Sequence, residues 1–211
     1  MKAVKIILII LAVLVAIALG YGGFAYYKMT RQERVDLGIG YNREDAETAI
    51  AEKAGVEVDD LGKLYFGSDF KTQGSKAVDQ VFTDAEISAI QNYANEKAGP
   101  FKEVQIHFIG GNKVEASGFV DDPRVTIPGP VYVKGDVIQT GPKSFSTSID
   151  HLQVGDYVVP RPIIETANSE FIGYVNGILG QIEGLNIENV EIQNGQVHFV
   201  GDLPEKIIGA N

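Results

Sequence analysis

The chain of 211 residues contains no cysteine. This absence excludes disulfide bonds, thiolate metal sites, cysteine nucleophiles and a lipid-modified cysteine, although it leaves the redox compartment open. The sequence also has no G-x-S-x-G nucleophile elbow, no P-loop and no dinucleotide-binding fingerprint. We therefore predict no catalytic residue, no cofactor and no enzymatic activity. With 45% hydrophobic residues, the chain can bury the core of one ordinary domain.

Charge is missing from residues 6–27, which read IILIILAVLVAIALGYGGFAYY. As a helix this stretch would span about 33 Å, enough to cross a bilayer. The pattern predicts a transmembrane anchor, preceded by a basic flank at residues 1–5. A cleaved signal peptide ending at Ala18 is the alternative. The anchor is favoured because the apolar run continues well beyond Ala18, where a mature N-terminus would turn polar.

The chain is acidic, with a formal net charge of −10. Residues 1–34 carry five basic side chains and one acidic one, a net charge of +4, so the remaining 177 residues carry −14. Basic residues flank the apolar run on both sides and do not decide its orientation. The export-like start predicts a single-pass protein of the cell membrane with its domain outside the cytoplasm. The acidic domain disfavours binding to nucleic acid or to anionic headgroups.

Two stretches of the sequence resemble each other: residues 102–120 read KEVQIHFIGGNKVEASGFV, and residues 187–204 read IENVEIQNGQVHFVGDLP. In each, apolar and polar residues alternate on both sides of a turn, formed by Gly110-Gly111-Asn112 in the first and by Asn194-Gly195 in the second. Each pattern predicts a β-hairpin. Two copies are too few for a solenoid.

A helix is predicted before each hairpin. Thr83 and Glu86 form a capping box, which opens a helix. The predicted apolar face of this helix consists of Ile87, Ile90, Ala94 and Ala98. The second helix carries apolar residues at helical spacing and ends at Gly184. The residues of this stripe are Phe171, Tyr174, Val175, Ile178, Leu179 and Ile182.

Each predicted helix and the hairpin after it form one unit. Further strands are predicted between the two units, around residues 131–133, 145–149 and 157–159. We predict an α+β domain over residues 78–208, in which helices cover one face of a curved, mostly antiparallel sheet. Residues 28–77 are predicted as a juxtamembrane helix, which runs from Asn42 to about Ala54, and a connector. Residues 209–211 form a tail.

The segments FTDAEISAI, EASGFV, GPVYVKG, VGDYVVP and VEIQNGQVHFVGDLP, together with the apolar N-terminus, resemble the YpmS-like bacterial single-pass membrane proteins. More distantly they are similar to the LmeA-like extracytoplasmic lipid-binding proteins. The resemblance covers residues 78–204 of the domain. It implies helices wrapped by a curved sheet that can enclose an apolar ligand, and it transfers no catalytic residue.

The polar residues that could carry chemistry are few. His107 and His198 lie in different hairpins, and no third ligand is placed beside them, so we predict no metal site. The neighbours Asp150 and His151 could form a proton relay, but no nucleophile accompanies them, and we expect polar strand-end residues instead.

Three classes of function remain. We favour a membrane-anchored extracytoplasmic module that binds a lipid or another apolar ligand, with the stripe from Phe171 to Ile182 as the ligand-binding residues. The alternative is a ligand-free envelope module that recruits protein partners, and an enzyme ranks last. The apolar stripe does not decide between them, because ordinary core packing needs the same pattern.

Overall fold

A computed structural model describes residues 22–30, 33–64, 69–121 and 127–209. These residues form four α-helices, a π-helical segment at Thr48–Ala54 and a 3-10 turn at Leu61–Lys63. The α-helices are α1 (22–29), α2 (Arg43–Glu47), α3 (Asp84–Ala94) and α4 (Arg161–Gln181). The strands are β1 (Glu57–Val58), β2 (Phe70–Gln73), β3 (Lys76–Thr83), β4 (Phe101–Gly110), β5 (Lys113–Val120), β6 (Val131–Gly141), β7 (Ser144–Val154), β8 (Tyr157–Val158), β9 (Asn186–Gln193), β10 (Gln196–Leu203) and β11 (Lys206–Gly209).

The strands form three separate sheets, so the predicted α+β fold with one curved sheet is wrong. The protein is mostly β, with 44% strand and 30% helix. The strand orders are β4-β5-β6-β7-β8, β3-β10-β9 and β1-β11-β2. The second hairpin does not join the sheet of the first hairpin. Instead, the edge of β10 that faces away from β9 pairs with β3 over eight residues. The third sheet joins β1 and β2 to β11, from the far end of the chain, and β1 pairs with β11 in parallel.

The structure also corrects the prediction of a membrane anchor. None of the helices in the described residues is long and apolar enough to cross a bilayer. The described helix α1 has eight residues, which rise only about 12 Å. The other part of the predicted span, residues 6–21, lies outside the described residues. The absence of such a helix from the described residues contradicts three predictions: a single-pass protein, localisation at the cell membrane, and a domain outside the cytoplasm.

The local elements of the two units lie where the sequence placed them. Thr83 and Glu86 form the capping box at the start of α3. β4 and β5 form the first antiparallel hairpin, and β9 and β10 form the second. Helix α4 begins ten residues before the predicted stripe, with Pro162 in its first turn, where the missing N–H of proline is tolerated. The domain bounds at residues 78 and 208 stay a prediction.

Helix α3 covers the outer edge of β4, whose other edge pairs with β5. Its polar side chains bond the backbone of the strand as a neighbouring strand would. The Phe108 N–H donates to Asp84 Oδ1 at 2.9 Å, and the Ile106 N–H donates to Ser88 Oγ at 2.9 Å. Asn92 bonds both backbone groups of Val104, accepting at 2.9 Å and donating at 2.7 Å. Edge groups that would otherwise be buried without partners are thereby satisfied.

Helix α4 does the same along β7. The Phe145 N–H donates to Asn176 Oδ1 at 2.9 Å, and Asn176 Nδ2 donates to the Phe145 carbonyl at 2.8 Å. Two turns earlier, Asn168 donates to the Thr147 carbonyl at 3.0 Å and accepts from its hydroxyl at 2.6 Å. Asparagine amides on two helices therefore fix both helices against the five-stranded sheet.

The turn of the second hairpin ties the sheets together. The Gly195 N–H donates to the Phe108 carbonyl at 2.7 Å, and the Gly195 carbonyl accepts from the Asp84 N–H at 3.1 Å. Gly195 has a φ of 77°, a backbone conformation that glycine adopts without strain. The turn therefore fills the corner between the end of β4 and the start of α3.

We predict that the amide of Asn92 contributes strongly to stability. Asn92→Ala removes both bonds to Val104 and leaves two backbone groups unpaired, so the free energy of unfolding should fall by about 1–3 kcal/mol. The measurement is urea denaturation followed by circular dichroism. Asn189→Ala, at an exposed position of β9, is the control and should change stability by about 0.5 kcal/mol or less. Equal losses in the two variants would contradict the role of the edge bonds.

Candidate functional site

A cavity of about 450 Å³ lies where the two small sheets meet α3 and the end of α4. It adjoins the buried cluster of Ala49, Ala54, Val56 and Phe82. Its lining residues are Ala49, Ile50, Ala54, Val56, Val58, Leu61, Leu64, Phe70, Phe82, Ile87, Ile90, Gln91, Ala94, Asn95, Ile178, Leu179, Ile182, Leu185, Leu203, Pro204 and Ile207. The lining is apolar apart from the amide side chains of Gln91 and Asn95.

The π-helical segment, which comes first in the chain among the lining elements, forms the first wall of the cavity. Ala49 and Ala54 are buried and present only methyl groups to the cavity, so their small size leaves space that larger side chains would fill. Lys53 holds the segment in place, because its Nζ lies 2.6 Å from Glu86 Oε1 on α3 and donates to the Val81 carbonyl at 2.9 Å. π-Helical geometry is rare and is often found at functional sites.

Helix α3 forms the second wall of the cavity. One face of the helix bonds the edge of β4, and another face lines the cavity. Asp84, Ser88 and Asn92 bond the edge of β4, while Ile87, Ile90 and Ala94 line the cavity. The apolar spacing predicted this face as far as Ala98, but the helix ends at Ala94 and Ala98 is exposed.

The end of α4 forms the third wall and contains half of the predicted ligand-binding stripe. Ile178, Leu179 and Ile182 line the cavity. The Ile182 carbonyl accepts a 2.6 Å bond from Lys143 Nζ, which anchors the end of the helix. Phe171 and Val175 lie outside the lining, and Phe171 is 49% exposed. The side chain of Tyr174 lies outside the described part of the structure.

The remaining lining residues were missed by sequence reasoning. Most of them come from the connector, from β1 and β2, and from residues 203–207. Val58, Phe70 and Ile207 belong to the β1-β11-β2 sheet. Glu57 and Lys206 are paired in this sheet although they lie 149 residues apart, and no local periodicity marks such a contact. The apolar residues Ala46, Ala49 and Ile50, which lie within the predicted juxtamembrane helix, were the available signal.

The histidines lie apart from the cavity. His107 Nδ1 contacts Asp84 Oδ2 at 2.6 Å, and His198 Nε2 contacts Asp79 Oδ1 at 2.6 Å, so each of these two histidines has its own carboxylate partner. Among the residues described, no three histidine or carboxylate side chains are grouped to hold a metal ion.

Asp150 and His151, considered above as a proton relay, each contact a different residue. Asp150 Oδ2 accepts a 2.8 Å bond from Lys113 Nζ, and this bond and charge lower the pKa of the carboxyl. His151 Nε2 contacts Gln153 Oε1 at 3.3 Å, and its ring lies 5.7 Å from that of Tyr132. The Lys113 ammonium also bonds Asp136, so a surface charge cluster accounts for Asp150.

The phenol of Tyr132 has a strongly raised pKa. Its hydroxyl donates to Glu115 Oε2 at 2.6 Å on the face of the five-stranded sheet. Burial, and then the bond and charge of Glu115, raise the pKa of Tyr132 to about 12. The phenol is therefore neutral and serves as a hydrogen-bond donor at physiological pH.

Comparisons with protein-family models, with curated proteins and with solved structures find no match to this chain. The resemblance to the YpmS-like and LmeA-like proteins therefore stays a prediction. The cavity and its lining carry the functional argument.

We predict that Ile178 faces open space and not a sealed core. Ile178→Ala should lower the free energy of unfolding by only about 1 kcal/mol, because the removed atoms already border a cavity and leave little new void. Ile164→Ala, on the same helix but 4% exposed, is the matched control and should cost about 2–5 kcal/mol. Denaturant unfolding measures both, and equal costs would contradict the open cavity.

We also predict a loss of stability at high pH. The folded pKa of Tyr132, about 12, exceeds its ordinary value of 10, so the folded state holds this proton more tightly. The resulting stabilisation is complete below pH 10 and is lost as the pH rises toward 12. Ultraviolet titration of tyrosinate, compared between wild type and Tyr132→Phe, isolates this group. Glu115→Gln should lower the midpoint of this titration, and an unchanged midpoint would contradict the contribution of Glu115 to the raised pKa.

Proposed function

We propose that the protein binds one apolar ligand, such as an acyl chain, in the cavity between the π-helical segment, α3 and the end of α4. The observation that carries the proposal is a volume of about 450 Å³ bordered almost entirely by aliphatic and aromatic side chains. Binding pockets for small molecules occupy about 300–1,000 Å³ and are mostly apolar. Apolar cavities can stay free of water and take up apolar molecules.

The energetics support a hydrocarbon ligand. Each methylene transferred from water into an apolar site contributes about 0.8 kcal/mol, so a chain of several methylenes gains enough to offset the cost of immobilisation. The 21 lining residues include no ionisable side chain, so affinity should depend little on salt. The resemblance of residues 78–204 to the LmeA-like lipid-binding proteins agrees with this proposal.

The cavity lining favours binding over catalysis. Its polar groups are the carboxamides of Gln91 and Asn95, and neither is a common nucleophile or general acid or base. The histidine and carboxylate pairs described above involve none of the lining residues. We therefore infer a carrier or sensor of an apolar molecule.

A cavity-filling variant tests the proposal on the full chain. Binding of N-phenylnaphthylamine, a neutral apolar dye, should be saturable in the wild type and should change little between low and high salt. In Ala94→Leu the added carbon atoms occupy the cavity, and dye affinity should fall about tenfold or more, equivalent to displacing about two methylenes. Circular dichroism establishes that the variant is folded.

Ala98→Leu is the matched control, because Ala98 is exposed just beyond α3 and lies outside the lining. Its dye affinity should equal that of the wild type. Equal dye affinities of Ala94→Leu and the wild type would show that the dye binds outside the cavity. No dye binding by the folded wild type would refute the proposed function.

A further inference from the structure

Two amide side chains interrupt the apolar lining of the cavity, and both belong to α3 or its C-terminal cap. Gln91 and Asn95 are four residues apart, so they lie one turn apart on the same side of the helix. Every other lining residue is apolar. The polarity of the cavity is therefore concentrated at one place on its wall.

The two amides differ in how they are held. Asn95, 1% exposed, donates from Nδ2 to the Gln91 carbonyl at 2.7 Å and accepts from the Phe101 N–H at 3.4 Å. The backbone carbonyl of Asn95 accepts from Lys102 Nζ at 2.8 Å. These bonds fix Asn95 as part of the framework.

The Gln91 carboxamide is half-buried and makes no hydrogen bond to another residue within the described ranges. An amide in apolar surroundings gains when a partner supplies a hydrogen bond, and it can both donate and accept. A ligand seated in the cavity would be that partner if it carried a polar group at this position.

Charge limits what the polar group can be. None of the lining residues is ionisable, so a carboxylate or ammonium in the cavity would be buried without a counter-charge. The chain as a whole has a net charge of −10, which further disfavours an anionic ligand. A neutral hydroxyl or carbonyl avoids both penalties and matches the bonding capacity of a carboxamide.

We propose that Gln91 determines ligand specificity, by selecting an amphiphile whose polar group is neutral over a fatty carboxylate. This inference rests on the proposed function and adds the class of ligand to it. The long apolar part of the ligand fills the space along Ile90, Ile178 and Ile207, and its neutral polar group bonds the Gln91 carboxamide.

The test is displacement of bound N-phenylnaphthylamine from the full chain by decanol, decanoate and decane. Decanol should displace the dye from the wild type at about one-tenth of the concentration that decanoate requires. Gln91→Leu keeps the size of the side chain but removes its hydrogen bond, so it should weaken decanol about three- to tenfold. Displacement by decane should stay unchanged in this variant.

Gln80→Leu, the same substitution at an exposed position of β3 outside the lining, should behave as the wild type. Equal displacement by decanol in wild type and Gln91→Leu would overturn the inference, as would stronger displacement by decanoate than by decanol. The proposed function survives either result, since the dye still binds. A wild type that binds no dye overturns both.

Discussion

The backbone groups on the two outer edges of the five-stranded sheet impose the main constraint on this protein. β4 and most of β7 each pair with a strand on one side only, and their outward N–H and C=O groups need partners. Asn92 and Asn176 each bond the N–H and the carbonyl of one edge residue. Both edges are thereby covered, which blocks pairing with other chains.

The cavity follows from this arrangement. Because their polar faces are committed to strand edges, α3 and α4 turn apolar residues such as Ile90 and Ile178 toward the space between the small sheets. Methyl groups at Ala49 and Ala94 leave that space open, while the Lys53–Glu86 pair keeps the π-helical segment at its far side. Protein interiors normally close such voids, so an apolar void of this volume is a reason to expect a ligand.

Half of the predicted ligand-binding stripe lines the candidate site, but the stripe supplies only three of its 21 lining residues. Helical spacing singled out Ile178 and Leu179 because α4 has a continuous apolar stripe, and both line the cavity. The same spacing included Phe171, which lies outside the lining, since only the last turns of α4 extend beyond β7 to the cavity. Periodicity tells which side of a helix is apolar but not where along the helix its neighbour ends.

The sequence by itself determined the local elements: the capping box at Thr83, the two hairpins and the apolar stripe of α4. Each depends on residues within a few positions of one another, where turn chemistry and side-chain spacing act directly. Only the tertiary structure decided that these elements form three sheets, that β10 pairs with β3, and that Val58 and Ile207 lie side by side in the cavity wall. Strand partners are chosen by the burial of whole faces, and that choice depends on contacts far apart in the chain.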